Sequence, residues 1–124
     1  MISILDLERV VKVGQLFSLY GSLLTDKQQE FVRLYYFNDL SLGEIAEQKD
    51  ISRQAVYDNL QRSEKALTSY EEKLELTNYY KLLAAEIDNL KTIVANIRPK
   101  LETEELRELE AVIERLETYY EGEL

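Results

Sequence analysis

The chain has 124 residues, 45% of them hydrophobic and 31% charged, and it contains neither cysteine nor histidine. Its length suits one or two small domains, and the missing residue types exclude disulfides, thiolate chemistry and zinc sites with the usual ligands. The 15 Lys and Arg stand against 24 Asp and Glu, and the net charge of −9 weighs against a strong nonspecific hold on DNA or anionic membranes.

The first predicted helix covers residues 4 to about 22, with Ser3 as a candidate N-cap. Gly21 and Ser22 weaken its C-terminal end. The apolar side chains that follow helical spacing are Leu5, Val10, Val13, Leu16, Phe17, Tyr20 and Leu24. One face of this helix is therefore expected to pack on a core.

A second helix is predicted to follow Thr25. Thr25 and Gln28 have the spacing of a capping box, in which each side chain binds the backbone amide of the other residue. This helix ends with the aromatic residues Tyr35, Tyr36 and Phe37. They could stack on bases, but at helical spacing in a small domain we expect them to be core residues.

The next segment, which ends at about residue 67, is predicted to be a helix-turn-helix. Ser41 and Glu44 form a second capping-box pattern, and Ser52 is the expected N-cap of the following helix after a short turn. Asp50 stands where this motif most often has glycine, and aspartate tolerates the left-handed conformation that the turn needs. The side chains expected to face inward are Leu42, Ile45, Ala46, Ile51, Val56 and Leu60.

The second helix of this motif has a polar outer face that suits nucleic acid. Its side chains can reach phosphates or base edges when such a helix enters a major groove. They are Ser52, Arg53, Gln54, Tyr57, Asp58, Gln61, Arg62 and Lys65. Any surface helix shows a polar face, so the same pattern also fits a helix that meets no DNA. Asp58 and Glu64, on or near this face, would sit close to phosphates.

Five stretches of the chain carry a resemblance to known proteins. They are Leu23-Leu24-Thr25-Asp26-Lys27-Gln28, Tyr35-Tyr36, Asp39-Leu40-Ser41-Leu42, Glu44-Ile45-Ala46-Glu47 and Ser52-Arg53-Gln54-Ala55-Val56-Tyr57-Asp58-Asn59. Over roughly residues 14 to 80 the chain resembles the YlxM-like family of small Gram-positive helix-turn-helix proteins. More distantly it is similar to the promoter-reading C-terminal region of bacterial sigma factors.

The resemblance implies a regulatory protein linked to the signal recognition particle pathway, because genes of this family lie beside the gene for that particle's GTPase subunit. Two classes of partner follow. One is duplex DNA, bound by the second helix of the motif. The alternative is an adaptor that binds no DNA and contacts the GTPase subunit or its small RNA, and the negative net charge favours a basic protein surface as partner.

The sequence predicts two domains in an all-α fold, a sigma-like helix-turn-helix domain over residues 1–69 and an acidic helical hairpin over residues 70–124. The boundary rests on Ser69 and Glu72, which have capping-box spacing where the apolar pattern changes phase. We therefore expect the helix to break at residues 68–70.

The first helix of the hairpin carries a heptad seam. Its apolar side chains alternate spacings of four and three, a pattern that favours two-stranded pairing. The seam consists of Leu76, Tyr80, Leu83, Ile87, Leu90, Val94 and Ile97. We interpret it as a dimer seam, while the alternative is that it packs against the last helix of the same chain.

The last helix is predicted to begin at Thr103, since Pro99 ends the preceding one. Its stripe consists of Leu106, Leu109, Ile113, Leu116 and Tyr120. Further apolar residues widen the two stripes beyond a single seam, namely Leu74, Tyr79, Leu82, Ala85, Ile93 and Val112. Either the N-terminal domain covers them or a second copy forms a four-helix bundle, and we favour the homodimer.

No set of catalytic residues stands out. The chain has only 4 glycines and no phosphate-binding loop, and the glutamates of the last helix have no nucleophile or base beside them. The sequence therefore predicts no enzyme activity, no cofactor and no metal site. No apolar run approaches the roughly 18 residues of a membrane span and no basic leader precedes the first helix, so we expect a cytoplasmic protein.

Overall fold

A computed structural model describes residues 4–123 of the chain. Within that range the regular structure is helical and contains no strand, so the all-α prediction is confirmed. The six α-helices are α1 (Ile4–Tyr20), α2 (Asp26–Val32), α3 (Leu42–Lys49), α4 (Arg53–Leu74), α5 (Leu76–Ile97) and α6 (Thr103–Glu123). A 3-10 turn follows α1 (Gly21–Leu23), a π-helical turn extends α2 (Arg33–Phe37), and a second 3-10 turn precedes α6 (Arg98–Lys100).

The N-terminal unit extends to Glu75 and is built by α1 to α4. Its core collects one apolar face from α1, α3 and α4, which repeat apolar residues at three- and four-residue spacing, and the adjacent Phe31 and Val32 from the short α2. The buried side chains are Val13, Leu16, Tyr20, Leu24, Phe31, Val32, Tyr36, Ile45, Ala46, Val56, Leu60 and Leu67. Four of the six predicted inward residues of the helix-turn-helix are thus buried, and the other two, Leu42 and Ile51, are partly buried.

Capping signals position the helices of this unit. The side chain of Thr25 accepts a hydrogen bond from the backbone N–H of Gln28, and the Gln28 side chain accepts one from the N–H of Thr25. Ser41 and Glu44 form the same reciprocal pair at the start of α3. Both predicted capping boxes are therefore confirmed, whereas the predicted cap at Ser3 lies outside the described residues.

The aromatic end of α2 is only partly core. Tyr36 is buried and its ring contacts that of Tyr35 edge-on, with centroids 4.9 Å apart. Phe37 packs on Phe17 at 5.5 Å, but half of its surface stays exposed. The expectation of core residues is confirmed for Tyr36, holds only in part for the partly buried Tyr35 and is wrong for Phe37. The π-helical turn rotates the last residues of the segment relative to an α-helix.

The predicted helix break at residues 68–70 is wrong. α4 runs without interruption to Leu74, and the chain leaves the helix at Glu75, which has a left-handed φ of 54°. Ser69 therefore lies inside α4, where a capping box cannot form because the following amides are already bound within the helix.

Contacts with α1 explain why α4 continues. The ring of Tyr70 lies against that of Tyr20, with centroids 6.1 Å apart. The carboxylate of Glu71 accepts a hydrogen bond of 3.1 Å from the hydroxyl of the buried Tyr20. These contacts hold the late turns of α4 on the N-terminal unit and override the local capping signal.

The C-terminal unit begins at Leu76 and is an antiparallel hairpin of α5 and α6. Its interior contains Ile87, Val94 and Ile113. Ion pairs on one side join Lys91 to Glu117 at 2.7 Å and Arg98 to Glu110 at 2.6 Å. Ile87 and Val94 of the predicted dimer seam therefore pack within the chain, which is the alternative that the sequence left open.

No helix in the described part of the chain combines the length and the apolar composition that spanning a membrane requires.

Candidate nucleic-acid interface

The turn between α3 and α4 fixes the geometry of the candidate site. Asp50 has φ 55° and ψ 48°, the left-handed conformation expected for this position. The N–H of Ile51 donates to the carbonyl of Ala46 and the N–H of Asp50 to that of Glu47, the bonding pattern of a Schellman motif. Ser52 then caps α4, its side chain accepting a hydrogen bond of 3.0 Å from the N–H of Ala55.

The predicted site residues share one surface of the N-terminal unit. Seven of them are exposed and Gln61 is partly buried, whereas Val56, Leu60 and Leu67 on the opposite side of α4 are buried. The structure thus places Ser52, Arg53, Gln54, Tyr57, Asp58, Gln61, Arg62 and Lys65 along the solvent-facing side of one helix over about three turns.

Arg53 links the two helices of the motif. Its guanidinium lies directly over Gly43 in the first turn of α3, where an added β-carbon would come within 3.1 Å of Nε and Nη2. The side chains of Ser41 and Ser52 already bind the amides of Glu44 and Ala55, and the other first-turn amides of α3 and α4 have no partner within their own helices. Phosphate oxygens are the groups that such a combination binds best.

Glu64 lies at the edge of this surface and is paired with α1. Its carboxylate accepts two hydrogen bonds from Arg9 of α1, at 2.6 Å to Nη2 and 3.2 Å to Nε, and its side chain is only 16% exposed. The hydrogen bond to Glu64 is the main reason that the pKa of Arg9 is raised. The expectation that the Glu64 carboxylate would approach phosphates is therefore wrong, because Arg9 of α1 neutralises its charge.

Asp58 remains on the exposed side of α4. Its Oδ1 accepts a hydrogen bond of 2.9 Å from Nε2 of Gln54, one turn earlier in the helix. No carboxylate of the described residues forms an ion pair with Arg53, Arg62 or Lys65. The exposed side of α4 thus has three cations and the carboxylate of Asp58, and Glu44 adds a second exposed carboxylate at the start of α3.

A cleft of about 270 Å³ extends this surface towards α2. Its lining includes Lys27 and Phe31 from α2, and Asp58 and Arg62 from α4. The ammonium of Lys27 lies 5.8 Å from the centroid of the Phe31 ring. Lys27 therefore adds a fourth cation at the border of the exposed surface.

Sequence reasoning did not identify Gly43 or Lys27 as part of the site. Both precede α4 in the chain, and only the packing of α2 and α3 against α4 brings them beside Arg53 and Arg62. A glycine in the first turn of a capped helix is the one signal that could have suggested a close approach at Gly43.

Two helices joined by a short left-handed turn, the second with an exposed polar side, define a helix-turn-helix protein. Comparison with known families agrees with this class. The chain belongs to the UPF0122 family, described as "Putative helix-turn-helix protein, YlxM / p13 like", whose model matches residues 7–112. The resemblance to the YlxM-like family is thereby confirmed.

Related bacterial proteins match nearly the whole chain. It is 43% identical over 111 residues to UPF0122 proteins of Bacillus cereus (strain AH187), Bacillus anthracis (strain A0248) and Bacillus thuringiensis subsp. konkukian (strain 97-27). Each alignment covers 90% of this chain and 99% of the relative. The shared sequence therefore includes the helix-turn-helix and most of the hairpin.

Proposed function

We propose that this protein is a regulatory protein that binds duplex DNA through the exposed side of α4. The observation that carries the proposal is the position of the Arg53 guanidinium over Gly43, beside the N-termini of both helices of the motif. A helix that enters the major groove with its N-terminal end foremost would bring this guanidinium and the adjacent amides to the phosphate backbone.

The other polar residues of α4 would then follow the groove. Arg62 and Lys65 lie two and three turns beyond Arg53 and suit contacts to phosphates or guanine edges. Gln54 and Asp58, already hydrogen-bonded to each other, suit contacts to adenine or to the amino group of cytosine. Three cations among the site residues of α4, in a protein of net charge −9, predict modest affinity that depends on salt.

Salt dependence of binding tests the proposal. We expect that the chain binds duplex DNA from the region upstream of its own coding sequence at low salt. Arg53→Ala and Arg62→Ala should each weaken binding and make the slope of log K against log salt shallower by about one, as one phosphate contact is lost. Fluorescence anisotropy at several salt concentrations measures both quantities.

Arg107→Ala is the matched control, because Arg107 is an exposed arginine of α6 and its loss changes the net charge equally. It should leave affinity and slope unchanged. Absence of binding by the unmodified protein at low salt would refute the proposal, and an equal effect of all three variants would show that net charge alone matters.

A second candidate function is an adaptor of the signal recognition particle pathway that contacts the GTPase subunit or its small RNA. The excess of acidic residues favours it, because an acidic protein associates more readily with a basic protein surface than with naked nucleic acid. Pull-down of the GTPase subunit with and without its RNA tests this candidate, and no association in either arm would eliminate it.

Both candidates place the protein in the cytoplasm and assign it a binding function without enzyme activity. Both also allow a homodimer. For DNA, two copies would supply two α4 helices, which suit half-sites about 34 Å apart, one turn of the duplex.

A further inference from the structure

The hairpin of α5 and α6 is apolar on one side and charged on the other. Two of the three residues buried inside the hairpin have an exposed apolar neighbour immediately before them, whereas Ile87 follows Glu86. Ile93 precedes the buried Val94, and Val112 precedes the buried Ile113. One residue is about 100° of rotation in an α-helix. Because the two helices are antiparallel, the same rotation on both brings these neighbours to the same side of the hairpin.

Two tyrosines follow the same rule. Tyr80 and Tyr120 contact each other across the hairpin, with ring centroids 6.0 Å apart. Tyr79 and Tyr119 immediately precede them and are 58% and 69% exposed. The exposed apolar side chains of this side, named here the hairpin apolar face, are Tyr79, Leu82, Ile93, Val112 and Tyr119.

The hairpin apolar face lies beside the residues that pack within the hairpin. On α5 it places Tyr79, Leu82 and Ile93 next to the seam residues Leu83, Leu90 and Ile97, and on α6 it places Val112 and Tyr119 next to Leu109 and Leu116. Each helix therefore has one apolar stripe that is wider than contact with its hairpin partner alone requires. Helices with two neighbours in a four-helix bundle have this wider pattern, whereas helices of an isolated pair need a single stripe.

We propose that the hairpin apolar face is a homodimer interface, on which the hairpin of a second copy packs to form a four-helix bundle. Dimerisation through this face does not depend on DNA binding by α4.

The size of the face suits a second copy. A fully exposed tyrosine presents roughly 200 Å² and an aliphatic side chain somewhat less, so the five exposed residues leave roughly 550 Å² in contact with solvent. The partly exposed Leu83, Leu90, Leu109 and Leu116 add to this area. A stable protein interface takes about 800 Å² from each partner, which this face approaches.

The shape of the face also complements itself. The ion pairs Lys91–Glu117 and Arg98–Glu110 set the register of the hairpin, so Ile93 and Val112 lie towards its closed end. Tyr79 and Tyr119 lie towards its open end. A two-fold axis that reverses one hairpin on the other would place large side chains against smaller ones, as interdigitated packing requires.

The distribution of charged side chains on the hairpin also favours pairing through the apolar face. The side opposite the apolar face has the two ion pairs and the cleft lined by Glu110, Glu114 and Glu117. Apposed apolar faces would keep these acids in solvent and away from those of the second copy. Glu86 and Glu105 interrupt the apolar stripes, and polar positions of this kind fix the register of a bundle.

Sedimentation of the full chain at concentrations from about 1 to 200 μM tests the proposal. The expected mass is twice the 14.5 kDa of one chain. Ile93→Glu places a charge in the interface and should weaken dimerisation on the order of 100-fold or more. Thr92→Glu adds the same charge at the adjacent exposed position, away from the apolar face, and should leave the dimer intact.

Tyr119→Glu on the other helix provides an independent variant, in case Ile93→Glu loses its helical circular dichroism. A mass of one chain at every concentration would overturn the proposal. So would dimers that Ile93→Glu, Tyr119→Glu and Thr92→Glu affect equally, because the interface would then lie elsewhere. No DNA is present in this experiment, so its result is separate from that of the DNA-binding test.

Discussion

Asp50 joins the two helices of the motif in a backbone conformation that is costly for most residues. Its φ of 55° places it in the left-handed region, where a β-carbon crowds the following carbonyl. Aspartate is one of the few non-glycine residues found there. The left-handed conformation of Asp50 sets the angle at which α3 and α4 cross. It therefore also sets the position of the exposed side of α4.

Replacing Asp50 by glycine is therefore expected to stabilise the protein by up to about 1 kcal/mol, since glycine adopts this conformation without strain. Asp50→Val should destabilise it by more than that, because a β-branched side chain tolerates the conformation least. Urea unfolding measures both changes. A loss of stability in Asp50→Gly would mean that the aspartate side chain contributes more than its backbone strain costs.

At the scale of the element, α2 and α3 begin with capping boxes that differ in one chemical respect. The box of α2 uses the neutral Gln28, whereas that of α3 uses the ionisable Glu44. The backbone N–H of Ser41, which donates to the Glu44 carboxylate, is the main cause of the lowered pKa of Glu44, and the Ser41 side chain adds to it. Of the two capping boxes, only that of α3 should therefore respond to acid.

The direction of the pH dependence of stability follows from the lowered pKa of Glu44. Ionised Glu44 stabilises the folded protein at pH values above the ordinary pKa of glutamate, and this contribution is lost as the pH falls through the lowered value. Glu44→Gln should keep the capping box and remove the pH dependence of α3. Hydrogen exchange of α3 amides between pH 6 and pH 3 in both proteins measures the difference, with α2 as the internal reference. Equal acid sensitivity of α3 in both proteins would contradict this account.

The starts and ends of elements show how far the sequence determines the fold. Ser41, Ser52 and Asp50 were identified from local signals because a cap or a turn depends on a few neighbouring residues. The break predicted at residues 68–70 was wrong because Tyr20, far away in the sequence, holds the late turns of α4 in place. Local signals cannot report contacts that the tertiary fold creates.

The candidate site shows the same limit. Its exposed residues on α4 follow from helical periodicity and could be predicted. The pairing of Glu64 with Arg9 and the approach of Arg53 to Gly43 depend on how α1 and α3 pack against α4, so they could not be predicted from local sequence patterns. Both contacts favour the nucleic-acid interpretation. Arg9 neutralises the charge of Glu64, and Gly43 leaves room for the guanidinium of Arg53.

For the whole molecule, the boundary at Glu75 divides the negative charge almost equally between the two units. The unit that ends there contains 9 basic and 13 acidic residues, and residues 76–124 contain 6 and 11, so both are acidic. Glu71, nine residues beyond Arg62, lies about 13 Å further along α4. This exceeds the screening length of about 10 Å at 0.1 M salt, so the acids at the end of α4 should have little effect on a phosphate at Arg62.

The central claim is that the exposed side of α4 and the first turn of α3 form the nucleic-acid interface. Hydrogen exchange of the full chain at low salt, with and without duplex DNA, tests it most directly because every segment reports separately. If this surface binds DNA, duplex DNA should slow exchange at residues 41–44 and 53–65 and leave residues 76–123 unchanged. Slower exchange confined to residues 76–123, with the helix-turn-helix unaffected, would contradict it.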